Sequence, residues 1–218
     1  MSKKKNVKKE MSDTRRIILF TLVIVIVVSL IGVLSFFVLK EKDENQENET
    51  VKTNTQEIAG YGITVDDLDS EYYRLEFEKL KSNLESGNIN NDEYATSVAK
   101  LFLIDLYTIK TKINKYDIGG VEEVIPEARD NYVTNITDTI YKYVEDNTKG
   151  KRNQSLPVVS ELKLINTKKS EFKFKDNTKL PSYVFEFEIV YSSDLGYDTK
   201  AEVTVVNRDN FMYVVEKN

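Results

Sequence analysis

Chemistry near neutral pH usually rests on side chains that exchange protons, attack carbonyls or hold metals. This chain of 218 residues has neither His nor Cys. Their absence removes thiol nucleophiles, Cys–His pairs, Ser–His–Asp triads, thiolate or imidazole zinc sites, iron–sulfur clusters and disulfides. Carboxylates, Lys, Tyr and Ser remain, and no spacing among them marks a catalytic set. Asp105 is the odd residue, an acid inside the apolar run from Leu101 to Tyr107. With Tyr107 or Tyr141 it could form an acid–base pair, but a carboxylate satisfied within the core is the simpler account. Asp66, Asp67, Asp69 and Glu71 lack the Asp-x-Asp-x-Asp-Gly order of a calcium loop, and acids at a helix start explain them. The expectation is a protein that is not an enzyme, with no catalytic, cofactor-binding or metal-ligating residues and no cofactor.

The charge is unevenly laid out. The net of -5 hides a basic start, in which Lys3, Lys4, Lys5, Lys8, Lys9, Arg15 and Arg16 face only Glu10 and Asp13. Residues 17–39 carry no charge, and residues 40–218 hold 24 basic and 34 acidic side chains. The uncharged stretch, Ile17 to Leu39, is 23 residues long. At about 1.5 Å per residue it reaches roughly 35 Å, enough to cross a hydrocarbon core of about 30 Å. A cleaved secretory signal would have a shorter apolar run and a small-residue cleavage site. Here the run ends Phe36-Phe37-Val38-Leu39-Lys40, so it reads as a transmembrane helix.

The basic flank sets the orientation by the positive-inside bias. Residues 1–16 are then a cytoplasmic tail at a cell membrane, too short for a folded output, and the rest lies outside. The basic run abuts the bilayer, its expected partner, and is too short to suggest nucleic acid. Residues 40–57 contain a single aliphatic side chain, Val51, and read as a flexible polar stalk. Residues 58–218 then form an extracytoplasmic domain that must hold together without disulfides.

Hydrophobic periodicity divides that domain into a helical half and a stranded half. Thr64 or Asp66 is the expected cap of a first helix. Tyr73, Phe77, Leu80 and Leu84 make its apolar stripe, widened by Leu68, Tyr72 and Leu75. A second helix is expected from about Asn91 to about Lys115, apolar on nearly all sides at its middle and therefore central. Gly119-Gly120 breaks the chain, and Val121 to Ile125 form a short strand or strap. Pro126 opens a third helix whose buried face is Tyr132, Val133, Ile136, Ile140, Tyr143 and Val144.

From Pro157 the period becomes two. Leu162 and Leu164, Phe172 and Phe174, Tyr183 to Tyr191, Ala201 to Val205 and Phe211 to Val215 read as strands of one antiparallel sheet, wet on one face. The fold class is therefore α+β: one transmembrane helix, then three helices packed on a curved antiparallel sheet of about four to six strands.

Three helices followed by a strand meander that ends in the hairpin Ala201–Val206 and Phe211–Val215 resembles the nuclear-transport-factor-like (cystatin-like cone) superfamily. The likeness covers residues 66–216 and lies in element order. With the basic tail and single span, the chain resembles the bitopic assembly factors of type IV secretion and Gram-positive conjugation machines. The Asn-Pro-x-Gly loop of the proteobacterial members is absent, so no partner-binding residue carries over.

The resemblance implies a non-catalytic anchor that presents a protein-interaction domain to other membrane or envelope proteins. The alternative it implies is a small-ligand pocket inside the cone, for which Tyr107, Tyr141, Phe185 and Phe187 are the candidate pocket or core aromatics. Gly32 with Ser29 and Ser35 does not give the small-x-x-x-small spacing of a packed span, so any self-association is expected through the external domain.

Overall fold

The computed structural model describes residues 54–218. The basic residues from Lys3 to Arg16, the span from Ile17 to Leu39 and most of the stalk lie outside the described residues. Among those described, no helix is long and apolar enough to cross a membrane. The architecture of the described residues is α+β, with three helices, a four-stranded antiparallel sheet and a separate two-stranded one.

The first element of the described residues starts inside the expected stalk. Strand β1 (Gln56–Glu57) pairs with β2 (Thr64–Val65), and the Ile58 N–H donates to the Ile63 carbonyl at 3.0 Å. Backbone pairing needs no apolar side chain in β1, which is why composition alone placed Gln56 and Glu57 in the stalk. Burial of Ile58, Ile63 and Val65 ties this hairpin to the core.

Helix α1 (Glu71–Glu85) is capped by Ser70, whose hydroxyl accepts from the Tyr73 N–H at 3.2 Å. The expected caps are otherwise engaged. Thr64 donates its N–H and hydroxyl to Glu122, at 2.6 and 2.8 Å, and the Asp66 carboxylate closes a turn on the Leu68 N–H. Tyr73, Phe77, Leu80 and Leu84 are buried at their helical spacing. Leu68 and Leu75 do not widen that face, being 42% and 55% exposed.

Helix α2 (Asn91–Tyr107), capped by the Asn90 side chain, is the central helix, with Leu101, Leu103, Ile104 and Leu106 fully buried. It stops well short of Lys115. Its last turn is closed by the Tyr141 hydroxyl, which donates to the Leu106 carbonyl at 2.9 Å, and Lys112 folds back to pair with Asp105. Pro126–Ala128 makes one 3₁₀ turn, and α3 (Arg129–Asp138) follows. The helical face therefore ends before Ile140. Tyr141 and Val144 are buried from a run of turns, whereas Tyr143 is 77% exposed and Tyr132, Val133 and Ile140 are half-buried.

The main sheet is a meander in the order β3 (Val159–Lys173), β4 (Lys179–Tyr191), β5 (Lys200–Arg208) and β6 (Phe211–Lys217). Phe185, Phe187, Ile189, Ala201, Val203 and Val205 line the helix-covered face. Cross-strand register puts Glu186 opposite Glu202 on the other, polar face. The expected strap is present: the Val214 N–H donates to the Glu123 carbonyl at 2.8 Å and the Ile125 N–H to the Val214 carbonyl at 3.0 Å, closing the β6 edge in parallel. β5 pairs β4 only from Ser182 to Glu188, so the β3–β4 hairpin runs on beyond it as a two-stranded arm. Phe172 and Phe174 lie on that arm half-buried, and Leu164, just before the bulge, is 43% exposed.

Candidate functional site

Asp105 is held as a structural acid. One oxygen pairs with Lys112 and the other accepts from the Gly120 N–H at 2.7 Å. Burial works against the Lys112 charge, but the adjacent Asp105 carboxylate holds the ammonium above its usual pKa. Gly119 approaches so closely that a Cβ there would meet the Asp105 carbonyl oxygen at 2.1 Å. The Tyr132 hydroxyl donates to the Gly119 carbonyl at 2.7 Å. These contacts lock the 112–120 loop onto α2.

Glu123, on the strap, is the most enclosed acid in this region. It is 2% exposed, and its Oε1 accepts from the Tyr73 hydroxyl at 3.3 Å. Burial, then the negative charges of Asp105 and Glu122, push its pKa up to about 8. Asp69 is also raised, to about 6, chiefly by burial. No group of three or more acids among the described residues is arranged to hold a metal ion.

The four aromatics named from sequence sit in the core. Tyr107, Tyr141, Phe185 and Phe187 are each no more than 1% exposed. The Phe185 and Phe187 rings lie 6.0 Å apart, and Tyr107 stands edge-on to Tyr191 at 6.4 Å. The Tyr107 hydroxyl is the only buried side-chain polar atom without a hydrogen-bond partner among the described residues. Phe187 also lines a shallow surface groove on the polar face with Ile165, Glu186, Glu188 and Glu202.

The accessible features lie elsewhere. A groove of 430 Å³ runs between α3 and β6, floored by Phe102, Leu106 and Val214 and roofed by Tyr132 and Ile136. A larger trough of 1090 Å³ lies between the α1–α2 hairpin and the inner face of β3 and β4. Leu75 and Lys79 form one wall of it, Asp92 and Glu93 the next, and Thr167 and Tyr183 the sheet side. Glu76 at its base is 2% exposed, accepts from the Ser97 hydroxyl at 3.0 Å and pairs with Lys79 and Lys100. Asp92 accepts from Tyr183 and pairs with Lys169 at 2.7 Å, pinning the tip of the helical hairpin to the sheet.

The trough opens beside the edge of β3. At its start this edge is covered: the Val159 N–H donates to the Thr108 hydroxyl at 3.3 Å and the Leu162 N–H to the Tyr72 hydroxyl at 3.1 Å. A bulge follows between Leu164 and Asn166. Beyond it β3 has no strand on its outer side among the described residues. Leu75, Leu164 and Ile165, exposed by 55%, 43% and 61%, flank this open stretch. Sequence reading placed Leu75 and Leu164 in the core. Their exposure depends on which strand ends at the sheet edge, and periodicity carries no signal for that. Searches of protein-family models, curated proteins and solved structures found no match to this chain.

Proposed function

We propose that this chain is a non-catalytic, single-pass membrane anchor whose extracytoplasmic domain docks another envelope protein along the open edge of β3 and the trough beside it. The observation that carries this reading is the uncovered length of β3, bordered by Leu75, Leu164 and Ile165, on a sheet whose other edge is closed by its own strap. Sheet edges left open beside apolar side chains are docking surfaces when they are not aggregation hazards. The basic tail and the apolar run from Ile17 to Leu39 support presentation of that surface outside a cell membrane.

Site-directed photocrosslinking in cells tests the proposal. A photoreactive residue at Leu75 or Ile165 of the full-length chain is expected to capture a consistent set of membrane or envelope proteins. The same residue at Tyr116, 69% exposed on a distant loop, is the control. Equal capture from all three positions, or none from Leu75 and Ile165, removes the assignment.

A further inference from the structure

Resting on that docking surface, we propose that β3 accepts an extended, acidic segment of another protein as a fifth strand of the sheet, paired along Thr167, Lys169 and Glu171. The orientation of the backbone is fixed by the neighbouring bonds. The Ser192 N–H points to Val158 and the Phe174 N–H to Thr178, whereas the Ile189 N–H points to Thr199 on the β5 side. With Thr167 opposite Phe185, Lys169 opposite Tyr183 and Glu171 opposite Pro181, alternation turns the amides of Thr167, Lys169 and Glu171 off the sheet. Nothing among the described residues accepts from them. An evenly spaced row of such donors and carbonyl acceptors is matched by another peptide backbone, and by neither a lipid surface nor a nucleic acid.

Charge selects the partner. The described domain is acidic, with 29 Asp and Glu against 21 Lys and Arg. β3 and its turn into β4, residues 159–179, reverse this: Lys163, Lys168, Lys169, Lys173, Lys175 and Lys179 stand against Glu161, Glu171 and Asp176. Lys163, Lys169 and Lys179 are committed to Glu188, Asp92 and Glu171. Lys168 and Lys173 take part in no ion pair among the described residues. A second copy of β3 would bring lysines against lysines, which is how natural edge strands resist self-pairing. An acidic strand meets Lys168 favourably on the polar face, and its alternate side chains fall on the trough side, where Lys173 stands at one end and Leu164 and Leu75 at the other.

The test uses the full-length chain in detergent and, as probe, a capped peptide of alternating Glu and Val. A Lys-for-Glu version and phosphatidylglycerol vesicles are the comparisons. Backbone hydrogen exchange is read together with affinity from fluorescence anisotropy. The acidic peptide is expected to bind and to slow exchange at Thr167, Lys169 and Glu171, while the basic one does not. Lys168→Glu with Lys173→Glu is expected to weaken binding about tenfold.

Thr167→Pro removes one outward N–H without touching a bond to β4, so the fold survives while strand pairing is lost. Glu171→Pro is the second such variant should the first misfold. Binding without protection at these amides, binding indifferent to the prolines, or tighter binding to the vesicles overturns the inference, as does no binding of the acidic peptide. If crosslinks from Leu75 and Ile165 persist in cells carrying Thr167→Pro, docking stands and strand addition fails. If the crosslinks are absent from the unmodified chain, the docking surface itself fails.

Discussion

Replacing Glu123 by Gln isolates the most strongly perturbed acid of the domain. The Gln side-chain oxygen can still accept from Tyr73, so the packing of the strap is preserved and only the titration is removed. Glu123 titrates at about 8 when folded, against its ordinary 4.5. Between those values the folded state keeps a proton that the unfolded chain has released, so stability falls as pH rises through the window. The loss is complete above the folded pKa. At about 1.4 kcal/mol per pH unit the full difference is about 5 kcal/mol.

Residues 54–218 carry their own core, so urea denaturation followed by circular dichroism can be run on that domain at pH 5, 7 and 9. The unsubstituted domain is expected to weaken steadily across the series. Glu123→Gln should hold most of its pH 5 stability at pH 9. Because Glu123 sits on the strap that closes β6, the protection of the Val214 amide, corrected for the intrinsic rise of exchange with pH, should fall with pH in the unsubstituted domain alone. Parallel stability curves for the two proteins would refute the argument, since they would mean that the buried carboxyl ionises without cost.

Three further substitutions probe packing elsewhere in the domain. Gly119→Ala drives a Cβ into the Asp105 carbonyl oxygen and should cost about 3 kcal/mol, read as a lowered melting temperature. Tyr107→Phe deletes a buried hydroxyl with no partner and should raise stability by about 1 kcal/mol; a clear loss would show that the hydroxyl does find a partner. Tyr72→Phe uncovers the Leu162 N–H and should cost about 1 kcal/mol, with faster exchange at that amide and none of the change at Val203 in the sheet centre.

The helical stripe of α1 was legible from spacing alone, since Tyr73, Phe77, Leu80 and Leu84 all recur on one face of a 3.6-residue period and all are buried. The same holds for the all-round apolar middle of α2 and for the alternation through β4 and β5. The break at Gly119-Gly120 was legible too, although its reason, the contact with Asp105, was not. Helix ends were misplaced where the deciding group is remote in sequence. Tyr141 and Lys112 together stop α2 at Tyr107, and Glu122 draws Thr64 out of a capping role.

By itself, then, the sequence determined what depends on neighbours along the chain: the lack of His and Cys chemistry, the segregation of charge, the periods of helix and strand, and the α+β order of elements. The tertiary structure alone decided which apolar residues stay exposed and which acids are enclosed. Leu75 and Leu164 carry the same pattern as their buried neighbours, yet they stay exposed beside β3, the strand that ends the sheet. Glu123 looks like any strap carboxylate until Tyr73 and the core close around it. Periodicity reports which face of an element is apolar. Only the position of that element among the others determines whether anything comes to cover it.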